Sequence, residues 1–348
     1  MSSLSPEQIK KMLQNPENEE ADVSMSFEEL ESFGNKDSIQ EMFQGIKNYN
    51  KMLKERITFI NPVLTDAIPF TRENLYLICA YSGNGKSSCA ANVSYPLWKS
   101  NKKSLVISNE ESEQDVLFRI GCLELGYNFN NYKKGKMPMT QQREVAKLFP
   151  SIAKYVKVVD VNAKKGITTK AEGVMNILEK VQDKDYSCVM IDYFQLINKT
   201  IKNPSASTYD VLNNLRMWFG KYIKKSNIPI VIFAQLHSIG KRNNKDLDSR
   251  IKHCPDIYEP STVVIEMLPN FDTKTTEFVI HKDRFGLAGH KITCAFDHGR
   301  FIPVTEEHML KVQDDKVDDL IKNSGVNDGQ GLQNQDSDKK GSEDKVDG

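Results

Sequence analysis

The segment Leu75 to Ser88, LYLICAYSGNGKSS, constrains this chain more than any other. A short apolar run suited to a buried strand enters a Gly-Asn-Gly-Lys-Ser turn, and a helical stretch follows. Such a turn serves where backbone N–H groups must point inward at a polyphosphate. Gly83 and Gly85 permit the unusual dihedrals and the close approach that this requires. Lys86 would reach the β- and γ-phosphates and Ser87 would hold Mg²⁺. Ser82, Asn84 and Ser88 complete the cradle at a helix N-terminus, whose dipole favours an anion. The strict G-x-x-x-x-G-K-[ST] pattern opens on glycine, and here Ala80 stands in that place.

The surrounding sequence supplies the sheet that a strand–turn–helix phosphate site needs. β-prone runs at Leu75 to Cys79, Ser104 to Ile107, Val156 to Val161, Cys188 to Ile191 and Ile228 to Ala234 alternate with helical stretches. Their Val and Ile content suits strands buried on both faces of a parallel sheet. A second cluster, at Val263 to Met267, Phe278 to His281 and Lys291 to Phe296, has connections too short for crossover helices. It reads as antiparallel strands that extend the sheet. The expected class is α/β, with a mainly parallel central sheet, helices on both faces and antiparallel C-terminal strands.

Phosphate chemistry calls for further groups at the strand ends. Cys188 to Asp192 is an apolar strand ending in a carboxylate, which makes Asp192 the candidate to hold Mg²⁺ through water. Leu105 to Glu110 ends a second strand with Glu110, the candidate to orient or deprotonate an attacking water; Glu111 and Glu113 compete for the same task. Ile230 to Gln235 ends a third with Gln235, placed to sense a γ-phosphate.

Charge is divided along the chain. The formal net charge of the 348 residues is zero, yet residues 1–50 carry −6, residues 311–348 carry −4 and the stretch between carries +10. A basic core favours a polyanionic partner. Residues 1–35 are polar and acidic with little periodicity, residues 311–348 end in a stretch with almost nothing that could be buried, and both read as mostly disordered. Between the first of these and the core, Ile39, Met42, Phe43, Ile46, Tyr49 and Leu53 recur at spacings of three or four, predicting an amphipathic helix over 36–58. The ATPase domain is then expected over 59–310. No apolar run approaches a membrane span, and the N-terminus lacks the apolar stretch of a secretory signal. The six scattered cysteines form no C-x-x-C pair, which fits a reducing cytoplasm.

With these motifs in order, residues 55 to 305 resemble the DnaB-type replicative helicase core, a branch of the RecA-like ATPases. Cys79 to Ser87 looks like the family's Walker A, in which alanine at the first position is familiar. Asn109-Glu110-Glu111, with Arg119 downstream, is similar to the segment carrying the catalytic glutamate. Ile191-Asp192-Tyr193-Phe194-Gln195-Leu196 closely matches the family's I-D-Y-L-Q-L, and Ala234-Gln235-Leu236-His237 its S-Q-L-N. His281 to Gly289 resembles K-Q-R-N-G-x-x-G, which implies that Lys282 and Arg284 reach the γ-phosphate bound by an adjacent subunit. The stretch Arg250 to Ile257 departs from the family's D-L-R-E-S-G-x-I, having lost its glycine and glutamate. A second departure is the absence of a helical primase-binding domain ahead of the core, as in compact phage-encoded members.

The resemblance implies an ATP- and Mg²⁺-dependent helicase working as a hexameric ring on single-stranded DNA, with a primase or helicase loader as further partner. Lys241, Arg242, Lys245, Arg250 and Lys252, in the segment Gly240 to Lys252, have the composition of loops that hold successive phosphates without reading bases. A recombinase or recombination mediator on the same fold is the alternative, and a regulatory ATPase without nucleic acid is a third reading.

Overall fold

The computed structural model describes residues 56–305, apart from 69, 161, 163, 183 and 238–245, together with 44–48, 50 and 51 of the preceding unit. In that preceding unit, residues 44–48, 50 and 51 are helical, and Ile46 is exposed. The other apolar positions of the expected amphipathic helix, Ile39, Met42, Phe43, Tyr49 and Leu53, lie outside the described residues, as do the two acidic ends. The helix does not extend to residue 58. Residues 56–59 are not helical, because Ile57 and Phe59 are buried in the core and the Ile57 amide donates to the Phe70 carbonyl.

One nine-stranded sheet organises the second unit, in the order β3-β2-β4-β5-β1-β6-β7-β8-β9. The strands are β1 (Leu75–Ala80), β2 (Lys103–Ser108), β3 (Val156–Val159), β4 (Tyr186–Asp192), β5 (Ile230–Gln235), β6 (Val263–Asn270), β7 (Thr275–Asp283), β8 (Lys291–Asp297) and β9 (Arg300–Pro303). From β3 to β6 every pairing is parallel, and from β6 to β9 every pairing is antiparallel. The sheet therefore matches the expected class, and β9, after a turn at His298–Gly299, is the strand that the sequence patterning did not reveal.

The helices follow in chain order: α1 (Pro62–Ala67), α2 (Lys86–Lys99), α3 (Glu113–Leu125), α4 (Phe129–Lys133), α5 (Met139–Tyr155), α6 (Ala171–Val181), α7 (Thr208–Ser226) and α8 (Leu247–Arg250). Strand alternation assigns the two faces. Tyr76, Ile78 and Ala80 of β1 join a core that includes Cys89, Val93 and Leu97 of α2. Leu75, Leu77 and Cys79 face the other way, into a core that includes Leu212, Leu215 and Phe219 of α7. All six residues of β1 are buried, as a strand covered on both faces requires. The six cysteines are all buried free thiols, and no helix among the described residues is long and apolar enough to cross a membrane.

The backbone of α6 packs closely on the 3₁₀ turn over Lys164–Thr169, at Gly173. A Cβ added there would stand 2.1 Å from the Ile167 carbonyl oxygen, and backbone cannot swing aside as a side chain tip can. Gly173→Ala is expected to destabilise the domain by about 1–3 kcal/mol, lowering the melting temperature of the purified protein, read by circular dichroism, while the chain still folds.

Candidate nucleotide site

The site lies at the C-terminal end of the parallel strands, where an open α/β sheet binds its ligands. β1 ends at Ala80, buried and paired with Gln235 of β5. That residue still belongs to the strand, so alanine fits where the strict motif has glycine. The left-handed backbone is needed later, at Gly83 (φ 78) and at Gly85 (φ 85), which caps α2. Ser82, Asn84, Ser87 and Ser88 line the resulting cavity of about 610 Å³ with Gly83, Gly85 and Lys86.

Lys86, the first residue of α2, is buried, and its ammonium donates to the Tyr81 carbonyl at 3.1 Å. Burial lowers its pKa, while Asp192 and Glu110 pull the other way. An ammonium stripped of water in this way gains from a phosphate oxygen what it has lost in hydration.

Asp192 ends β4 and is buried. Desolvation pushes its carboxyl up to about 6, against the lowering effect of a hydrogen bond from the Ser87 hydroxyl. Its Oδ1 is buried with no hydrogen-bond partner among the described residues. Among those residues, no group of three His, Cys, Asp or Glu side chains gathers that could hold a metal ion. A hydroxyl, one uncommitted carboxylate oxygen and the ligand's own phosphates are the set that suits Mg²⁺, which keeps several of its waters. The residues present therefore fit that ion.

The three glutamates that follow β2 are separated by their surroundings. The Glu111 amide donates to Ser108 Oγ at 3.1 Å, and the Ser108 hydroxyl donates to the Glu111 carbonyl at 2.6 Å. The Glu111 carboxylate is paired with Arg119, which also reaches Ser88 Oγ at 3.3 Å and lies 4.0 Å from the centroid of the Phe129 ring. Glu113 sits in the first turn of α3, where its amide donates to Asp160. Only Glu110 of the three lines the cavity, and it is exposed there. The geometry thus separates Glu110 from its two competitors.

Gln235 also borders the cavity, and its backbone is fixed by a residue to which the sequence assigned no task. The Gln195 side chain accepts from the Gln235 amide at 3.0 Å and donates to the carbonyls of Gln235 (3.1 Å) and Lys252 (3.0 Å). A buried primary amide that spends three bonds on two neighbouring chains acts as a clamp. Its signal was present in the sequence, as the glutamine of the hexapeptide. The far wall of the cavity carried no such signal. Asn270, Phe271, Thr276, Phe296 and His298 reach it from the antiparallel strands β6, β7 and β8 and the turns between them.

The remaining expected residues do not gather at this cavity. Lys282 and Arg284 lie at the end of β7 that pairs with the start of β6, the opposite end of the sheet from the turn after β1. The Lys282 ammonium donates to the carbonyls of Tyr258 (3.2 Å) and Glu259 (2.6 Å), and Arg284 is exposed. Lys241, Arg242 and Lys245 lie outside the described residues. Lys252 is half-buried, with its peptide fastened to Gln235 and Gln195. Arg250 requires a correction. Its guanidinium is buried in a two-bond pair with Glu266, at 2.6 and 2.7 Å, so it is not available to a phosphate chain in solvent. Nearby, His253 adopts φ 65, a left-handed conformation that favours glycine.

Compared with known proteins, residues 66–301 match the family described as the DnaB-like helicase C terminal domain. The chain is 23% identical over 237 residues to the replicative DNA helicase DnaB of Geobacillus stearothermophilus, a match covering 63% of this chain and 50% of that protein. It therefore spans about half the length of the curated relative it matches. Among solved structures, one described as an ATPase domain is similar with a TM-score of 0.63 and 14% identity, covering 78% of this chain and 100% of that one. A DnaB-like replicative helicase, whose structure was described with its interactions with primase, gives a TM-score of 0.61 and 15% identity over 78% of this chain and 68% of that one. These two likenesses establish a shared fold.

Two substitutions test the geometry of the site. Glu110→Gln should retain nucleotide binding and lose turnover by about 10²- to 10⁴-fold; normal turnover would move the base to another carboxylate. Asp192 is raised, not lowered, by folding, so the nucleotide-free protein loses stability as pH climbs from the ordinary carboxylate range through about 6. Asp192→Asn should therefore melt higher than wild type at pH 7.5, with the gap narrowing toward pH 5, while ATP hydrolysis is lost. Thermal melts across that range check the sign.

Proposed function

We propose that this chain, which belongs to the DnaB-like helicase C terminal domain family, is the ATP-driven motor of a replicative DNA helicase that moves along single-stranded DNA and separates the duplex. The observation that carries the reading is the convergence of Lys86, Asp192 and Glu110 from the ends of three parallel strands, with the Asp192 Oδ1 still uncommitted.

In this reading the polyphosphate of ATP occupies the turn between β1 and α2. Lys86 exchanges the Tyr81 carbonyl for β- and γ-phosphate oxygens. Ser87, and Asp192 through water, would hold Mg²⁺, which when bound neutralises charge across those phosphates. Glu110 orients the attacking water and takes its proton. Gln235, held in place by Gln195, senses whether the γ-phosphate is present.

Lys282 and Arg284 act in trans. Their placement at the far end of the sheet from their own cavity supports this, since neither can serve that cavity. In a hexameric ring they would stand at a neighbour's γ-phosphate, where Arg284 offsets charge developing in the transition state and ties hydrolysis to subunit movement. Lys241, Arg242, Lys245 and Lys252 would hold the DNA backbone, and the +10 charge of the core supports that assignment. A primase or a helicase loader is the further partner, and the host cytoplasm is the compartment.

Unwinding of a forked duplex with ATP and Mg²⁺, with Lys86→Ala in parallel, is the direct test. Strand separation by the wild type and none by the variant is the expected result. Hydrolysis stimulated by single-stranded DNA without separation, even with a loader supplied, would instead favour the recombinase reading. Mixing Arg284→Ala with Lys86→Ala should restore part of the activity that each lacks, and no recovery at any ratio would rule out shared sites.

A further inference from the structure

Pairing within the sheet places the far wall of the cavity only indirectly. β9 is four strands from β1 in the sheet order, yet the turn before it, at Asp297 to Gly299, lines the same cavity as the turn after β1. A wall reached through three intervening strands inherits their accumulated twist. A second, shorter connection is needed to fix its distance from the phosphates.

Asn92 supplies that connection. It stands on α2, six residues after Lys86 and so about 9 Å along the helix from the phosphate turn. Asn92 is 4% exposed, and all of its polar capacity is spent. Nδ2 donates to the Gly299 carbonyl at 2.7 Å and to the Ser88 carbonyl at 2.8 Å, while Oδ1 accepts from the Phe301 amide at 3.1 Å. One side chain thus grips the backbone on both sides of Arg300. Arg300 in turn donates to the hydroxyl of Tyr95 at 2.9 Å and lies 4.8 Å from the centroid of its ring. Tyr95 is three residues beyond Asn92, on the same side of α2. The helix that opens at the phosphates therefore carries the start of β9 on its flank. A buried carboxamide costs desolvation, and asparagine is a poor helix former, so an apolar residue would suit packing better. An apolar residue could not hold the turn.

The chemistry of the wall indicates what it faces. The phosphate turn forms one end of a cavity of about 610 Å³, and Phe271, Phe296, Asp297 and His298 line another part of it. Aromatic faces beside a carboxylate and an imidazole suit a heteroaromatic base and its ribose. We propose that Asn92 is a positioning residue for the nucleoside end of the bound nucleotide, holding the β8–β9 turn at a fixed distance from the phosphate turn. The inference rests on the nucleotide reading of the cavity given above.

The test compares full-length wild type with Asn92→Ala and with Gly299→Ala. The second variant leaves the asparagine in place and disturbs the same turn from its other side, since Gly299 has φ 92 and an added Cβ would stand 3.3 Å from a Leu123 methyl; it carries the test if Asn92→Ala does not fold. Affinity for the magnesium complex of a non-hydrolysable ATP analogue is titrated, and affinity for inorganic tripolyphosphate, which has no nucleoside, is read by its displacement of that analogue. For Asn92→Ala the analogue should bind about 5- to 50-fold more weakly, with tripolyphosphate affinity and turnover at saturating ATP within about threefold of wild type. Gly299→Ala should weaken the analogue in the same direction and spare tripolyphosphate. Equal weakening of both ligands overturns the proposal by moving the effect of Asn92 to the phosphate turn, and unchanged affinity for both in a folded Asn92→Ala overturns it outright. A wild type that binds the analogue no better than tripolyphosphate removes the nucleoside wall and leaves the phosphate site standing, whereas a wild type that binds neither removes the nucleotide reading itself.

Discussion

Everything polar at the nucleotide site depends on the burial of β1. This strand is covered on both faces by helices and flanked on both edges by parallel neighbours, so its side chains contribute nothing to chemistry along its length. Polar function is driven to the strand's C-terminal end, where the chain leaves the sheet and its amides are freed from ladder bonding. The same burial acts on β2, β4 and β5, and each brings one polar side chain to that end of the sheet: Glu110 just after β2, Asp192 at the end of β4 and Gln235 at the end of β5. The cavity is thus the common terminus of several dry strands.

Electrostatics then divide the tasks among groups only ångströms apart. Burial lowers the pKa of Lys86 and raises that of Asp192, so both are held in states that favour a counter-charge from outside the chain. Glu111 has a permanent partner in Arg119, whereas Glu110 keeps its access to the cavity. Paired charges such as Glu111 and Arg119 are spent within the fold, whereas the Asp192 Oδ1 is not. A site arranged in this way gains most when anion and cation arrive together, as they do in a metal–nucleotide complex.

Two polar networks beneath the site fix its geometry. The Gln195 amide locks the end of β5 to the chain at Lys252, and the Arg250–Glu266 pair locks the same chain to β6. Leu236 and His237 on one side, and Arg250 to Lys252 on the other, are therefore tied to one another and to β5 and β6. Hydrogen bonds in a dry environment are stiff and costly to break, which holds the end of β5 and the chain at Lys252 in one arrangement.

The sequence by itself determined the local features: the strand–turn–helix at Gly83 to Ser88, the run of apolar strands, and the carboxylates and glutamine at their ends. These were legible because a phosphate turn and a strand buried on both faces each impose their residue types over a few consecutive positions. Glu110 was legible as the leading candidate with Glu111 and Glu113 as competitors, and only the tertiary structure shows that Arg119, eight residues beyond Glu111, folds back to pair with Glu111. Arg250 was misread for the same reason, because a basic residue in a basic segment gives no sign of a carboxylate sixteen positions away on another strand. The far wall of the cavity, from hairpin turns near Phe271 and His298, and the remoteness of Lys282 and Arg284 from their own phosphate turn were decided by the sheet alone. Which strand lies beside which, and in which direction, is set by long-range pairing, and no run of consecutive residues encodes it.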